Sequence, residues 1–204
     1  MKKKFIKDTE KRGELTDVHL FLLSKIEKLL SKKETILDAG CGYGAITNYL
    51  LGKGYNIYGV DDSENKIIYL NQNHPGRFSI MDLTKETIPA ELSSIHFDTI
   101  ISTEVIEHLY APRKFILLCK SLLGENGRLI ISTPYHGYLK YLTISILGCM
   151  DSHLEALTDR GHIKFWSKKT LTKLLEEQGF KVTQFIGCSR FPYLWKSMIL
   201  IAEL

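Results

Sequence analysis

The sequence predicts an α/β fold, with a doubly wound, mostly parallel seven-stranded sheet that ends in an antiparallel hairpin. Short apolar runs alternate with stretches of helical periodicity along most of the chain. Strands and helices that alternate in this way form a parallel sheet covered on both faces. The last two apolar runs, at about 180–186 and 197–204, have no helix between them, so they are expected to pair antiparallel.

Length and composition predict one soluble globular domain. The chain has 204 residues, of which 44% are hydrophobic and 25% charged, with a net charge of +4. We therefore treat residues 1–204 as a single domain. No signal peptide is expected, and the apolar stretches are too short to span a bilayer, although peripheral membrane contact stays open. The four cysteines have neither close pairing nor metal-ligand spacing, which favours reduced thiols and a cytoplasmic location. The sequence does not determine the oligomeric state.

The first elements predict a nucleotide-binding site. A helix is expected at about 15–31, before the first strand, where it could close over a ligand. The strand at about 35–39 runs into Gly40, Gly42 and Gly44, and a helix follows. Glycines there let the backbone turn tightly and approach a ligand, which also meets the free N–H groups of the helix start. Gly40, Gly42 and Ala45 also satisfy the looser dinucleotide fingerprint, so a nicotinamide or flavin enzyme remains an alternative.

A carboxylate follows the second predicted strand, at about 55–60. Asp61 comes about twenty positions after the glycines, where a ribose-binding carboxylate is expected in a βαβ nucleotide fold. We prefer Asp61 to Asp62 because it directly follows the apolar run. The alternative is that both residues only cap the next helix beside Ser63.

Three further strands end in residues that can carry chemistry. They are predicted at 77–81, 97–103 and 127–133, and are followed by Asp82, Glu104 and Pro134. Ligands of parallel sheets bind at the carboxyl ends of the strands, so these residues are expected at one edge with the glycine loop. An insertion at about 136–161 is interpreted as a cover over substrate. Ser167 then begins a helix that ends at Gly179.

The segments 37–44, 59–61 and 97–98, together with the terminal hairpin, resemble the class I S-adenosylmethionine-dependent methyltransferases over nearly the whole chain. The resemblance implies a Rossmann-like methyltransferase fold with S-adenosylmethionine as cofactor. It also implies that the glycines contact the methionine part of the cofactor and that Asp61 binds the ribose hydroxyls. Asp82 would contact the adenine edge with Leu83 packing nearby, and Asp38 would brace the loop or reach the amino group through water.

The segments 104–109 and 132–134 are similar to ubiquinone-biosynthesis O-methyltransferases and to small-RNA 3′-terminal 2′-O-methyltransferases. Both families are understood to use a divalent metal such as Mg or Mn. Glu104, Glu107 and His108 lie at i, i+3 and i+4, so we expect them to share one helix face at the active edge. A metal there would lower the pKa of a substrate hydroxyl. The family pattern supplies a further histidine, which matches His162.

Other roles for these residues stay open. Glu107 and His108 could instead brace the loop or act as catalytic proton acceptors without a metal, and His136 is a rival for general base or ligand. An acidic and histidine cluster can also be no more than a solvated helix start.

The predicted function is transfer of a methyl group to an oxygen of a small hydroxylated acceptor. The first alternative is metal-dependent 2′-O-methylation of RNA. Nucleic acid is not the preferred partner, because the lysines at 164, 168, 169 and 173 are interpreted as a solvated helix face. The remaining alternatives are a nicotinamide-dependent oxidoreductase and a non-catalytic module that binds the cofactor.

Overall fold

A computed structural model describes residues 13–154, 161–189 and 191–204. The strands are β1 Thr35–Ala39, β2 Asn56–Asp61, β3 Phe78–Ile80, β4 Phe97–Thr103, β5 Leu123–Pro134, β6 Lys181–Cys188 and β7 Ser197–Glu203. The helices are α1 Asp17–Ile26, α2 Ala45–Gly52, α3 Glu64–Asn71, α4 Pro112–Leu122, α5 Tyr138–Ile146, α6 Met150–Leu154 and α7 Lys168–Glu177. Short 3-10 turns cover Glu27–Leu29 and Ile106–His108.

The strands form one seven-stranded sheet in the order β3-β2-β1-β4-β5-β7-β6. The pairs from β3 to β5 are parallel, whereas β7 pairs antiparallel with both β5 and β6. This arrangement confirms the predicted fold class, including the terminal hairpin.

Alternating apolar residues on the central strands explain why helices cover both faces. Ile36 packs with α1 and α2, whereas its neighbour Leu37 packs with α4 and α7 on the opposite face. Ile101 and Ile100 on β4 divide in the same way. Successive side chains of a strand point to opposite faces, so a continuous apolar run is buried on both sides.

Several boundaries differ from the predicted ones. β5 begins at Leu123 rather than near 127, because Leu123 pairs with Phe97 before the strand resumes at Arg128 opposite Thr99. The helix predicted at about 15–31 is shorter in the structure. α1 ends at Ile26, and a 3-10 turn continues to Leu29.

The insertion expected at about 136–161 contains α5 and α6 in its described part. Its residues 155–160 lie outside the described residues. Within the described ranges, none of the helices is long and apolar enough to cross a membrane.

The topology brings the functional candidates to one edge of the sheet. The parallel strands β1 to β5 all end there, and the antiparallel β7 begins there at Ser197 beside Pro134. Loops at this edge therefore come from both halves of the chain.

Candidate active site

A cleft of about 1240 Å³ lies at this edge of the sheet. Loops after β1, β2, β3 and β4 line it, together with the residues that precede and begin α1. The lining residues before and at the start of α1 are residues 13–16 and His19. The predicted N-terminal helix therefore starts beside the cleft.

The glycine loop presents bare backbone to the cleft. Gly40 has φ +90°, and a Cβ atom there would lie 2.5 Å from Val105 Cγ2. Gly42 has φ +57°, and apart from its two chain neighbours no described residue has an atom within 4 Å of where its Cβ would be. Gly44 is the N-cap of α2. Because Gly42 borders open space, a ligand can approach its backbone closely.

Asp61 connects the glycine loop to the end of β2. Its Oδ2 accepts the Gly42 N–H at 2.9 Å, and its Oδ1 accepts the Ser63 N–H at 3.0 Å. The Lys66 ammonium lies 3.4 Å from Oδ1. The bond to Ser63 is the helix-start contact of the alternative interpretation, and Oδ1 also faces Lys66, whereas Oδ2 keeps a second lone pair for a ligand. Asp61 and the loop are close enough to contact one molecule.

Asp38 is a buried carboxylate in the cleft wall. Its Oδ2 accepts the Thr47 hydroxyl at 2.6 Å, while Oδ1 has no hydrogen-bond partner among the described residues. Burial, opposed by the Thr47 bond and reinforced by the Asp61 charge, raises the pKa of Asp38 to about 7. A cationic group in the cleft would favour its ionised form.

Asp82 is a half-exposed carboxylate in the same wall. Thr84 donates to its Oδ1 from both the hydroxyl, at 2.7 Å, and the backbone N–H, at 2.9 Å. These bonds, with the Lys85 ammonium at 3.0 Å from Oδ2, lower the pKa of Asp82 to about 2. Leu83 is buried beside it and also lines the cleft.

Glu107, His108 and His162 form a cluster at the β4 side of the cleft, and His108 lines the cleft itself. Thr133 donates to Glu107 Oε2 at 3.0 Å, and Glu107 Oε1 is buried with no hydrogen-bond partner in the described part of the chain. The Nε2 atoms of the two histidines each lie 4.0 Å from Oε1. One ligand atom from each of the three residues falls within 4.8 Å of the others. The arrangement can hold a metal ion.

Backbone contacts bring His162 to this cluster. The N–H groups of Ile163 and Lys164 donate to the Glu107 carbonyl at 2.9 and 3.0 Å. The His108 Nδ1 atom lies 3.3 Å from the Gly161 carbonyl oxygen. Residues far apart in the sequence thus reach one site because the 161–164 loop packs on the 3-10 turn.

The expectation that Glu104 shares a helix face with Glu107 and His108 is wrong. Glu104 has a left-handed φ of +54°, and the 3-10 turn begins only at Ile106. Its carboxylate accepts the hydroxyl of Ser132 at 2.8 Å and that of Ser197 at 3.2 Å. Glu104 lines the cleft but is not part of the metal-capable cluster. Burial raises the pKa of Glu104, and burial together with the Glu104 charge raises that of Glu107.

His136 does not line the cleft. Its Nδ1 atom is hydrogen-bonded to the Tyr141 hydroxyl, and its ring meets that of Phe165 at 5.1 Å between centroids. Burial, with the neighbouring Lys140 charge, lowers the pKa of His136 to about 4. His136 therefore lies outside the metal-capable cluster, although the charge of His162, a member of that cluster, is among those that lower its pKa.

The sequence profile of the methyltransferase domain family matches residues 9–185. The chain belongs to the class I S-adenosylmethionine-dependent methyltransferases. This assignment removes the oxidoreductase alternative, which rested on the same glycine loop. The methyltransferase takes S-adenosylmethionine as its cofactor.

Similar proteins agree with this family. The ubiquinone biosynthesis O-methyltransferase of Glaesserella parasuis is 28% identical over 193 residues, covering 86% of this chain and 79% of that protein. The mitochondrial human protein of the same description is 30% identical over 168 residues, which cover 78% of this chain but 44% of the human protein. The methyltransferase thus spans less than half of that relative.

Solved structures show the same fold. Magnesium protoporphyrin IX methyltransferase from Synechocystis, crystallised with S-adenosylhomocysteine, matches this chain with a TM-score of 0.63 at 21% identity. The match covers 92% of this chain and 85% of that one.

Two contacts in the methyltransferase cleft were not expected from the sequence. Lys66 forms the ion pair with Asp61, and Thr47 holds one oxygen of Asp38. Thr47 follows the glycine loop by one helical turn, a spacing that could have indicated its contact with the end of β1. Lys66 gave no such indication, because a lysine on a helix is ordinarily solvated.

We expect Gly42→Ala to weaken S-adenosylmethionine binding by roughly tenfold or more, since the added methyl would occupy ligand space beside the loop. The free energy of unfolding should fall by only about 1 kcal/mol, the cost of a left-handed alanine. Titration calorimetry and urea unfolding measure the two effects. Gly76→Ala is the matched control, because Gly76 also has a positive φ, +74°, and open space but lies away from the cleft. Equal affinities of both variants and the wild type would contradict the assignment of the loop.

We expect Asp38→Asn to raise the free energy of unfolding of the ligand-free protein above pH 7. Between the ordinary pKa of 3.8 and the folded value of about 7, the folded state keeps a proton that the unfolded chain releases. This contribution to stability therefore decreases as pH rises through that range. Asparagine carries no charge to bury, so the variant avoids this loss and should be more stable than wild type by roughly 4 kcal/mol at pH 8, but not at pH 4.

Urea unfolding at both pH values tests this expectation. Asp62→Asn, at an exposed position in the same cleft, is the control, and its free energy of unfolding should equal that of wild type at both pH values. A difference between Asp38→Asn and wild type that does not vary with pH would contradict the raised pKa.

Proposed function

We propose that the methyltransferase transfers a methyl group to an oxygen of a small hydroxylated acceptor, at a site where Glu107, His108 and His162 hold a divalent metal. The observation that carries this proposal is the buried Glu107 Oε1 atom, which has no hydrogen-bond partner among the described residues and has two imidazole nitrogens 4.0 Å away. A buried carboxylate oxygen without a partner costs free energy that a bound cation would recover.

The donor set fits such an ion. Ligand atoms around one ion, with bonds of about 2.1 Å, lie roughly 3 to 4 Å apart, so small side-chain shifts would complete the contacts. Carboxylate oxygens suit Mg²⁺ and Mn²⁺, whereas imidazoles favour transition metals. Two histidines beside one carboxylate therefore support Mn²⁺ over Mg²⁺. Glu104 remains a candidate ligand from the sequence, but its oxygens already accept hydrogen bonds from Ser132 and Ser197.

The residues of the chain bind and orient the reactants. S-adenosylmethionine supplies a methyl group on a sulfonium that already carries its leaving group, so alignment of the acceptor oxygen is the main task. Asp61 and the glycine loop would bind the nucleoside and methionine parts, with Asp82 and Leu83 at the adenine end. A divalent ion, when bound, lowers the pKa of a hydroxyl that it contacts. If no ion is used, His108 is the residue placed to accept the hydroxyl proton, because it lines the cleft.

Two observations support a small acceptor with a hydroxyl group. Relatives that match most of this chain are described as ubiquinone biosynthesis O-methyltransferases. The cleft, at about 1240 Å³, can take a small acceptor beside the cofactor. Methylation of RNA is the principal alternative outcome of the activity test.

We expect Glu107→Gln and His162→Ala to weaken Mn²⁺ binding roughly a hundredfold, because the first replaces the anionic ligand by a neutral amide and the second removes an imidazole. Thr133→Val should weaken it roughly tenfold by releasing Glu107 Oε2, while Thr133→Ser keeps the hydroxyl and the affinity. Titration calorimetry with Mn²⁺ and Mg²⁺ measures these affinities. His96→Ala, an exposed histidine outside the cleft, is the control. Unchanged Mn²⁺ affinity in both ligand variants would eliminate this site.

We expect the purified protein, given S-adenosylmethionine and Mn²⁺, to methylate an oxygen of at least one member of a panel of phenols, catechols and sugars. Mass spectrometry would detect the added methyl, and a chelator should abolish the reaction. Short RNA with a free 3′-terminal ribose is run in parallel, and methylation of RNA alone would support the alternative. Binding of S-adenosylmethionine without turnover on any acceptor would instead indicate a non-catalytic module.

A further inference from the structure

Tyr110 is an exposed aromatic residue in the wall of the cleft. Its side chain is 86% exposed, although it lines the same cavity as His108 and the glycine loop. A single exposed aromatic residue on a protein surface is ordinary, so its meaning depends on where it lies. Tyr110 lies two positions after His108, and little of the described protein covers its ring.

The backbone is fixed on both sides of Tyr110. The N–H of Leu109, the residue before it, donates to the Ile106 carbonyl at 3.3 Å and so closes the 3-10 turn. α4 begins two residues after Tyr110, with the buried Pro112 at its first position, where the fixed φ of proline suits a helix start. Tyr110 is thus held at the cleft between two anchored elements, so a ligand that packs on it would order little additional backbone.

Apolar side chains line the same part of the cleft. Leu109 and Ala111, the chain neighbours of Tyr110, both line the cavity. Ile163 lines it as well and is 37% exposed. The Ile163 N–H donates to a carbonyl of the 3-10 turn at 2.9 Å, so Ile163 and Tyr110 are both attached to the turn that carries two members of the metal-capable cluster. Apolar contact is therefore available beside that cluster.

The charges of the cleft wall lie mainly at the glycine-loop side. Among the described residues that line the cleft, the one lysine is Lys66, and no arginine lines it. The Lys66 ammonium lies 3.4 Å from the Asp61 carboxylate. Around Tyr110 the described wall therefore offers apolar surface and an imidazole, whereas its one lysine already faces a carboxylate. A flat ring can pack on Tyr110 stacked or edge to face, which gains free energy beyond the burial of apolar area.

We propose that Tyr110 is a specificity-determining residue, on which the planar ring of the acceptor packs while the acceptor hydroxyl lies at the metal-capable cluster. A tyrosine supplies a large, rigid contact at low entropy cost because it has only two side-chain torsions. Contact with its ring selects a planar ring over a puckered one, since two aromatic planes gain an interaction that an aliphatic ring lacks. This inference rests on the proposed function and names the residue that reads the acceptor skeleton.

Titration calorimetry of catechol into the protein loaded with S-adenosylhomocysteine tests the proposal without turnover. Tyr110→Ala should weaken catechol binding roughly tenfold, whereas Tyr110→Phe should stay within about twofold of wild type because the ring is retained. cis-1,2-Cyclohexanediol carries its two hydroxyls on a puckered ring, so wild type should bind it more weakly than catechol. Tyr110→Ala should reduce this difference roughly fivefold. Contacts of the hydroxyls are the same in both proteins, so the change reports the ring alone.

The matched control is Tyr138→Ala, because Tyr138 is 78% exposed but does not line the cleft. It should bind catechol as wild type does, and S-adenosylhomocysteine affinity should be unchanged in every variant. The proposal is overturned if wild type binds no catechol, if Tyr110→Ala binds it equally well, if Tyr138→Ala loses as much, or if the difference between the two diols does not change. Catechol binding that depends on Tyr110, without methylation of any acceptor, would support the ring contact and count against the proposed function alone.

Discussion

The hydrogen bond from the Gly42 N–H to the Asp61 carboxylate is the contact on which the glycine-loop side of the cleft depends. It joins the end of β1 to the end of β2, which lie side by side because Ala39 pairs with Val60 in parallel register. The N–H groups of Gly40 and Cys41 both donate to the Val60 carbonyl at 2.9 Å, so the loop turns directly over β2. A carboxylate that accepts backbone N–H groups is held in one orientation, ready for further hydrogen bonds.

Two adjacent hydroxyls on β5 give the two glutamates different surroundings. Ser132 and Thr133 point to opposite faces of the strand, so one reaches Glu104 and the other Glu107. Glu104 has both oxygens engaged by serine hydroxyls, whereas Glu107 keeps one oxygen unengaged within the described structure. Two carboxylates three positions apart thus have different capacities for a cation.

The sequence predicted most of the fold because its signals are local. Apolar periodicity located the strands, as the structure confirms, and glycine spacing located a loop that lines the cleft. His162 could be assigned to the cluster only through the family resemblance, since the backbone bonds to Glu107 that bring it there are tertiary. The left-handed φ of Glu104 was not predicted, because the spacing of Glu104, Glu107 and His108 favoured a continuous helix. The burial of Lys140 in α5 depends on its hydrogen bond to the Tyr135 carbonyl, which no periodicity reveals.

The sheet order has a consequence for how the chain is made. β7 is the last strand in sequence but an interior strand of the sheet, seated between β5 and β6. Until β7 leaves the ribosome, β5 has an open edge on which Ile130 and Ile131 lack their later partners. Unpaired apolar edges of this kind are where nascent chains associate wrongly. A chain in which Ser197–Glu203 has not yet paired therefore exposes an apolar strand edge in the interior of the sheet.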